Sequence, residues 1–206
     1  MQETPGKDIQ IEKTDFLKRL RNHTQALHTG LEQHPISTAL FHPNVTQTDY
    51  TRYLQTMYAI VSRFEKAVFP LLASFLGDID QRRKTELLEK DLRYLNGWSE
   101  RYKLSSGNDT ATDTASLGYL MGKMYVLEGS TLGGAVIYKQ LQPILGFTPE
   151  KGGTYFYGYG SQTGPMWKVF MDRLSALAIE KNETEPILKG AADQFAALAA
   201  FFDTRL

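Results

Sequence analysis

An all-α fold is what this sequence predicts, on three observations. Apolar residues recur at helical spacing, as in Leu17, Leu20, Leu27 and Leu31, and again in Leu54, Met57, Val61, Phe64 and Val68. No stretch alternates apolar and polar residues as a half-buried strand does. Breakers such as Pro35, Asn96-Gly97, Gly146 and Pro149 fall at the ends of the periodic stretches. At 206 residues the chain suffices for a single domain with a full core, and it has no internal repeat.

Residues 1–13 read as a flexible tail with Pro5-Gly6 as a breaker, and 14–206 as the helical domain. Thr14 or Asp15 caps a first helix that Pro35 stops. Thr24, His28 and Glu32 follow one another at four-residue spacing and so share a face, with Arg21 a turn earlier. Asp49 opens a second helix through Val68, and Pro70 ends it or begins the next turn. A third spans about 80–96. The polar run 105–114 is a loop leading into a long helix that ends near Leu145. Residues 151–160, Lys-Gly-Gly-Thr-Tyr-Phe-Tyr-Gly-Tyr-Gly, are too glycine-rich for regular structure and read as an ordered aromatic loop. Helices over about 165–179 and 184–203 complete the chain.

Composition narrows the function classes. With 23 basic and 23 acidic residues and no basic block, the chain lacks the clustered positive surface that nucleic acid requires. It has no cysteine, which excludes disulfides, thiolate metal sites and cysteine nucleophiles. It has no run of 18 apolar residues, so no membrane span is expected, and the N-terminus has no apolar export core. A cytoplasmic protein is the expectation.

The long helix carries Gly118, Gly122, Gly129, Gly133 and Gly134. Each helical glycine costs about 0.8–1 kcal/mol relative to alanine, so something must need close backbone approach. At about 100° per residue, Gly118, Gly122, Gly129 and Gly133 fall at about 0°, 40°, 20° and 60°. They form one bare stripe, suited to a flat ligand or to a tightly crossing helix, and the sequence leaves both open. Gly133-Gly134 invites a kink.

All four histidines, His23, His28, His34 and His42, precede residue 43, and no two share a helix face. Neither a His-x-x-x-His zinc pair nor a Glu-x-x-His iron motif is present. A lone helical histidine is more often a core or surface residue than a ligand. His28 stands out because Glu32, one turn on, is placed to take its Nδ1 proton and leave Nε2 free to bind a metal. One open-faced histidine and a bare glycine wall are what a haem clamp requires.

Two motifs carry a family resemblance. Leu20-Arg-Asn-His-Thr-Gln-Ala-Leu-His-Thr-Gly-Leu-Glu32 resembles the proximal-helix signature of haem oxygenases, and Tyr125-Val-Leu-Glu-Gly-Ser-Thr-Leu-Gly-Gly134 resembles their distal-helix signature. The second is most similar to bacterial members, including those associated with bacteriophytochromes. The resemblance implies a multi-helix bundle holding haem between a proximal helix and a kinked, glycine-rich distal helix. It implies His28 as the axial iron ligand and Glu32 as its acceptor. Thr24 matches a proximal-helix residue, and Arg21 matches a basic group near the propionates. Gly129, Gly133 and Gly134 match the glycines at the haem and at the kink. Ser130 stands where animal members have an aspartate that holds a proton-delivering water network. Lys168 and Arg173 are further propionate candidates, and Tyr125, within about 20° of the glycine stripe, is a candidate lining residue.

The implied activity is oxidative cleavage of haem to biliverdin, carbon monoxide and ferrous iron. Haem is both substrate and cofactor, and dioxygen is consumed. Electrons come from a ferredoxin or a reductase, and a biliverdin-accepting photoreceptor is a candidate recipient. The alternative is a haem carrier or sensor that kept the clamp and lost turnover, with Ser130 as its mark. Thiamin-degrading and dinuclear-iron enzymes of similar architecture need, respectively, a cysteine and later histidines that this chain lacks.

Overall fold

The computed structural model describes residues 5–100 and 115–204. Eight helices run through them: α1 (Pro5–Glu32), α2 (Pro35–Thr38), α3 (Gln47–Leu72), α4 (Thr85–Tyr94), α5 (Leu117–Leu145), α6 (Thr154–Tyr157), α7 (Thr163–Glu180) and α8 (Thr184–Asp203). Single 3₁₀ turns lie at Ala39–Phe41, Ile79–Arg82 and Gly160–Gln162. Among the described residues no strand forms; Thr148 makes only isolated bridges to Lys151 and Gly152. The loop expected over 105–114 lies outside the described residues. No described helix is long and apolar enough to cross a membrane.

The helix boundaries differ from the sequence reading where capping chemistry decides them. Helix α1 begins at Pro5, inside the segment read as a tail. Proline suits that place, because the first N–H of a helix has no helical partner to lose. Lys13 in this extension donates to Asp172 of α7 at 2.6 Å. Helix α3 is capped by Thr46 and not Asp49. The Thr46 side chain accepts from Asp49 N–H at 3.2 Å, and the Asp49 carboxylate accepts from Thr46 N–H at 3.0 Å, a reciprocal box. Pro70 sits near the end of α3 without stopping it. Helix α4 is shorter than expected, and Asn96 at φ 56° closes it in the left-handed region, with Gly97 N–H returning to Leu92. Helix α5 is capped by Ser116 and closed by Gly146 at φ 69°.

The run 151–160 is less irregular than its composition suggested, because α6 forms inside it. Asp91, fully buried on α4, accepts from Thr154 N–H at 3.0 Å and Tyr155 N–H at 2.8 Å. That carboxylate meets the unpaired donors of the α6 N-terminus. Tyr50 also donates to Gly152 C=O at 2.7 Å. Asp91→Ala strands both amides and is expected to lower the unfolding free energy by about 2–3 kcal/mol, measurable by urea denaturation.

Two apolar clusters make up the core. One gathers Leu20, Phe64, Met121, Phe170 and Ile187; the other gathers Leu40, Tyr50, Leu92, Leu141 and Phe156. The first half of α5 is pressed against α8. A Cβ on Gly122 would fall on the Ile187 carbonyl oxygen, and one on Gly190 would fall on the Tyr119 carbonyl oxygen. Glycine on both sides is what lets these backbones touch.

Candidate functional site

A cavity of about 590 Å³ draws its lining from both clusters and so lies at their seam. That volume falls within the roughly 300–1,000 Å³ of small-molecule sites. Helix α1 contributes His28, Leu31 and Glu32, and α5 contributes the run from Tyr125 to Ile137, including Gly129, Ser130, Gly133 and Gly134. Phe41, Leu132 and Val136, large apolar residues that are 41–60% exposed, all line this cavity, so its surface is suited to an apolar guest.

Among the four histidines only His28 lines the cavity. Its Nδ1 lies 3.3 Å from a Glu32 carboxylate oxygen, and the edge of its ring meets Phe195 with centroids 5.9 Å apart at 76°. These two contacts restrict the ring, and the carboxylate meets Nδ1 and not Nε2. His34 serves the fold instead. Its Nδ1 accepts from Ile36 N–H at 3.2 Å, so Nε2–H is the donor to Asp203 at 3.2 Å. His42 Nδ1 accepts from Asn44 N–H at 3.1 Å.

The glycine stripe divides by role. Gly118 and Gly122 serve helix packing, since added Cβ atoms there would strike Glu183 and Ile187. Gly133 faces open space: a Cβ there would meet nothing within 4 Å, so the missing side chain leaves a cradle that a methyl group would begin to fill. A Cβ at Gly129 would touch the Trp167 ring at 3.4 Å, and one at Gly134 would press on Phe156 at 3.2 Å. The close helix crossing is found at Gly118 and Gly122, whereas Gly129 and Gly133 line the cavity. The helix is continuous through Gly133-Gly134.

The family model described as "Heme oxygenase" matches residues 14–204. The chain belongs to the haem oxygenase family. Solved structures of similar fold include a heme oxygenase from Neisseria meningitidis with bound NO and CO, at 22% identity and TM-score 0.71, covering 92% of this chain and 91% of that one. Heme oxygenase from Leptospira interrogans has 17% identity and TM-score 0.74, with 92% and 98% covered. Heme oxygenase-1 from Synechocystis sp. PCC6803, solved with heme, has 18% identity and TM-score 0.69, with 92% and 91% covered. No curated protein sequence matches the chain.

As a haem oxygenase the protein cleaves haem oxidatively to biliverdin, carbon monoxide and ferrous iron, and haem is both its substrate and its cofactor. The residues present fit that group: a mostly apolar cavity, one oriented imidazole, and a glycine whose missing side chain leaves the wall open.

The remaining expected residues are less uniformly placed. Tyr125 lines the cavity and also packs on Trp167, with centroids 5.6 Å apart. Thr24 is buried, its hydroxyl donating to Leu20 C=O at 2.9 Å. Arg21 is exposed on α1, outside the lining; burial raises the Tyr125 pKa, and the Arg21 charge opposes that rise. Lys168 is exposed and paired with Asp172 at 2.6 Å, and Arg173 is paired with Asp78 at 2.8 Å; neither lines the cavity.

Sequence reasoning missed a second layer behind α5. Glu128, in the sequence only a charge interrupting the apolar run, is 3% exposed and accepts from Arg82 and from the Tyr159 hydroxyl at 3.0 Å. Burial raises the Glu128 pKa, and the adjacent Arg82 and Lys84 oppose that rise. Arg82, fully buried, also holds Asp78 at 2.7 Å and Met166 C=O at 3.2 Å, so one guanidinium ties α5 to α7. Helix α5 and its partners in this layer are far apart in the chain, beyond the reach of any local spacing rule.

Proposed function

We propose that His28 is the axial ligand and that Gly129, Ser130 and Gly133 form the distal wall of the haem site. What carries this reading is the junction of His28, beside Glu32, with the open face at Gly133 in one cavity of haem-compatible size. Bound haem supplies the iron at which dioxygen is reduced and the porphyrin carbon that is oxidised.

The side chains prepare that chemistry. Glu32 accepts the His28 Nδ1 proton, which fixes the tautomer and makes Nε2 a better donor to metal. The near-perpendicular contact with Phe195 helps hold the ring against rotation. Gly133 leaves the cavity open at its face and offers no side chain that could bind iron, which would suit a bound diatomic molecule. Ser130 donates to Leu127 C=O at 2.7 Å, so its oxygen offers lone pairs to water. Leu132, Val136 and Phe41 limit water in the cavity. Arg21 and Lys168, both outside the lining, are the cations proposed for the propionates, Lys168 on release from Asp172. The electron donor is of the ferredoxin or reductase class, a biliverdin-accepting photoreceptor is one candidate recipient, and the cytoplasm is the proposed compartment.

Single turnover tests the reading: hemin-loaded protein, ascorbate and air, followed by absorption. Loss of the Soret band with growth of a biliverdin band is expected. A Soret band that persists after reduction would favour the carrier reading, and failure to develop one with hemin would remove His28. Glu32→Gln retains shape but accepts the imidazole proton poorly, and is expected to slow cleavage or weaken haem binding by about 10-fold.

A further inference from the structure

Behind Ser130 lies a second, smaller chamber of about 20 Å³, lined by Glu65, Arg82, Lys84, Glu128, Ser130 and Tyr155 among others. Its size suits one water molecule. It shares Leu127, Ser130 and Tyr155 with the haem cavity, so these three residues form the partition between the two. Lys84 borders the chamber at 8% exposure, and its Nζ has no hydrogen-bond acceptor among the described residues. The ammonium lies over the Tyr159 ring, 3.3 Å from its centroid. A ring face offsets its charge but takes none of its three N–H donors in a strong bond. A buried ammonium with donors to spare needs an acceptor, and it borders a water-sized chamber whose mostly apolar wall is broken by Lys84, Glu128 and Ser130.

We propose that Lys84 holds a water molecule in this chamber against Ser130, and that this chain of groups delivers protons to the distal side of the haem cavity. The assignment rests on Ser130 being part of the distal wall. In each transfer one N–H bond of Lys84 breaks as the water gains a proton. The water passes a proton to Ser130 Oγ, and the serine hydroxyl turns from Leu127 C=O to release its own proton into the cavity. The ammonium becomes a neutral amine, and because Nζ itself is buried, a proton from solvent returns to it through the chamber water between turnovers. Lys84 is a positioning residue here, since it reaches the cavity only through water and Ser130.

The surroundings suit a group that gives up protons. Burial lowers the Lys84 pKa to about 8, against the opposing pull of Glu128 and Glu65 and with help from Arg82. Those three, with Tyr155 and Tyr159, are the titratable and charged groups facing it, from α3, α5, the 3₁₀ turn and the 154–160 segment. Glu65 is engaged elsewhere, accepting from the backbone N–H groups of Lys84 and Thr85. Tyr155 is held neutral, burial raising its pKa far above the usual phenol range.

Two measurements test this. In crystals of the haem-free protein near neutral pH, a water oxygen is expected within about 3.2 Å of both Lys84 Nζ and Ser130 Oγ, and Lys84→Met is expected to lose it. A chamber without that water, or a water retained in the variant, overturns the proposal. In the haem-loaded protein, Lys84→Met is expected to keep haem affinity within about twofold but to slow single turnover about 100-fold. The wild-type rate should fall as pH rises through about 8, where the ammonium is lost, and the variant should lack that inflection. Ser130→Ala should slow turnover similarly, and the double variant should be no slower than Ser130→Ala. Wild-type-like turnover and pH profile in Lys84→Met overturn the proposal. If wild-type protein gave no Soret band, the His28 reading would fall while the crystallographic result still decided the water site. Replacing a buried charge by methionine is expected to leave thermal stability equal or higher. Should Lys84→Met not fold, the wild-type water, the wild-type pH profile and Ser130→Ala decide the matter.

Discussion

His28→Ala is expected to abolish measurable haem cleavage, with single-turnover rates reduced by more than about 100-fold. The bound follows from a comparison: losing a partner that merely supports a metal ligand typically costs about 10–100-fold, so losing the ligand exceeds that range. Haem should still enter, because much of the lining is aliphatic and aromatic and survives the change. A broadened, shifted Soret band with weaker affinity is therefore the expected spectrum. Since the His28 side chain is about half exposed and makes its contacts at the cavity surface, its removal leaves no buried void, and the unfolding midpoint should move little. Exogenous imidazole, which fits the space vacated, should restore part of the activity. The measurement is a hemin titration and an ascorbate-driven turnover on the same sample. Wild-type cleavage by this variant would transfer the ligand role away from α1.

How much of this was legible in the sequence depends on the range over which each signal acts. The pairing of His28 with Glu32 is a four-residue spacing on one helix, and it appears in the structure at 3.3 Å. Gly129 and Gly133 on the cavity wall follow likewise from helical periodicity in a single element, whereas Ser130 and Gly134, off that stripe, were reached through the family resemblance. The caps were harder, because Thr46 and Ser116 win by geometry over neighbours that are chemically similar. Helix α6 could not be read, since its N-terminus is stabilised by Asp91, more than 60 positions earlier. The layer behind Ser130 has the same origin: Arg82, Lys84 and Glu128 are ordinary surface residues by composition, and only tertiary packing buries them. Phe195, Trp167 and Phe156 line the site with nothing in their local pattern to separate them from core residues.

The divided glycine stripe supports the last prediction, a pair of identical substitutions with opposite effects on stability. At Gly122 a Cβ would be placed on the Ile187 carbonyl oxygen with the Ala191 backbone nitrogen 3.0 Å away. Backbone cannot yield as a flexible side chain does, so Gly122→Ala must separate α5 from α8. That separation also opens the contact at Gly190, where Tyr119 backbone is equally close. Overpacking of this kind costs about 3 kcal/mol or more, a large part of the stability of a domain this size. At Gly133 the added methyl meets nothing within 4 Å. There Gly133→Ala should gain about 0.5–1 kcal/mol from helix propensity and reduced unfolded-state entropy. The haem-free protein thus becomes more stable, while the methyl intrudes on the space kept for haem and diatomic ligand. Haem affinity or turnover should fall even as the midpoint of urea unfolding rises. Parallel denaturation and hemin titration of the two variants check both signs. A Gly133→Ala protein that gained stability and also cleaved haem at the wild-type rate would show that this glycine is not kept for the ligand, and a stable Gly122→Ala protein would show that α5 and α8 tolerate separation.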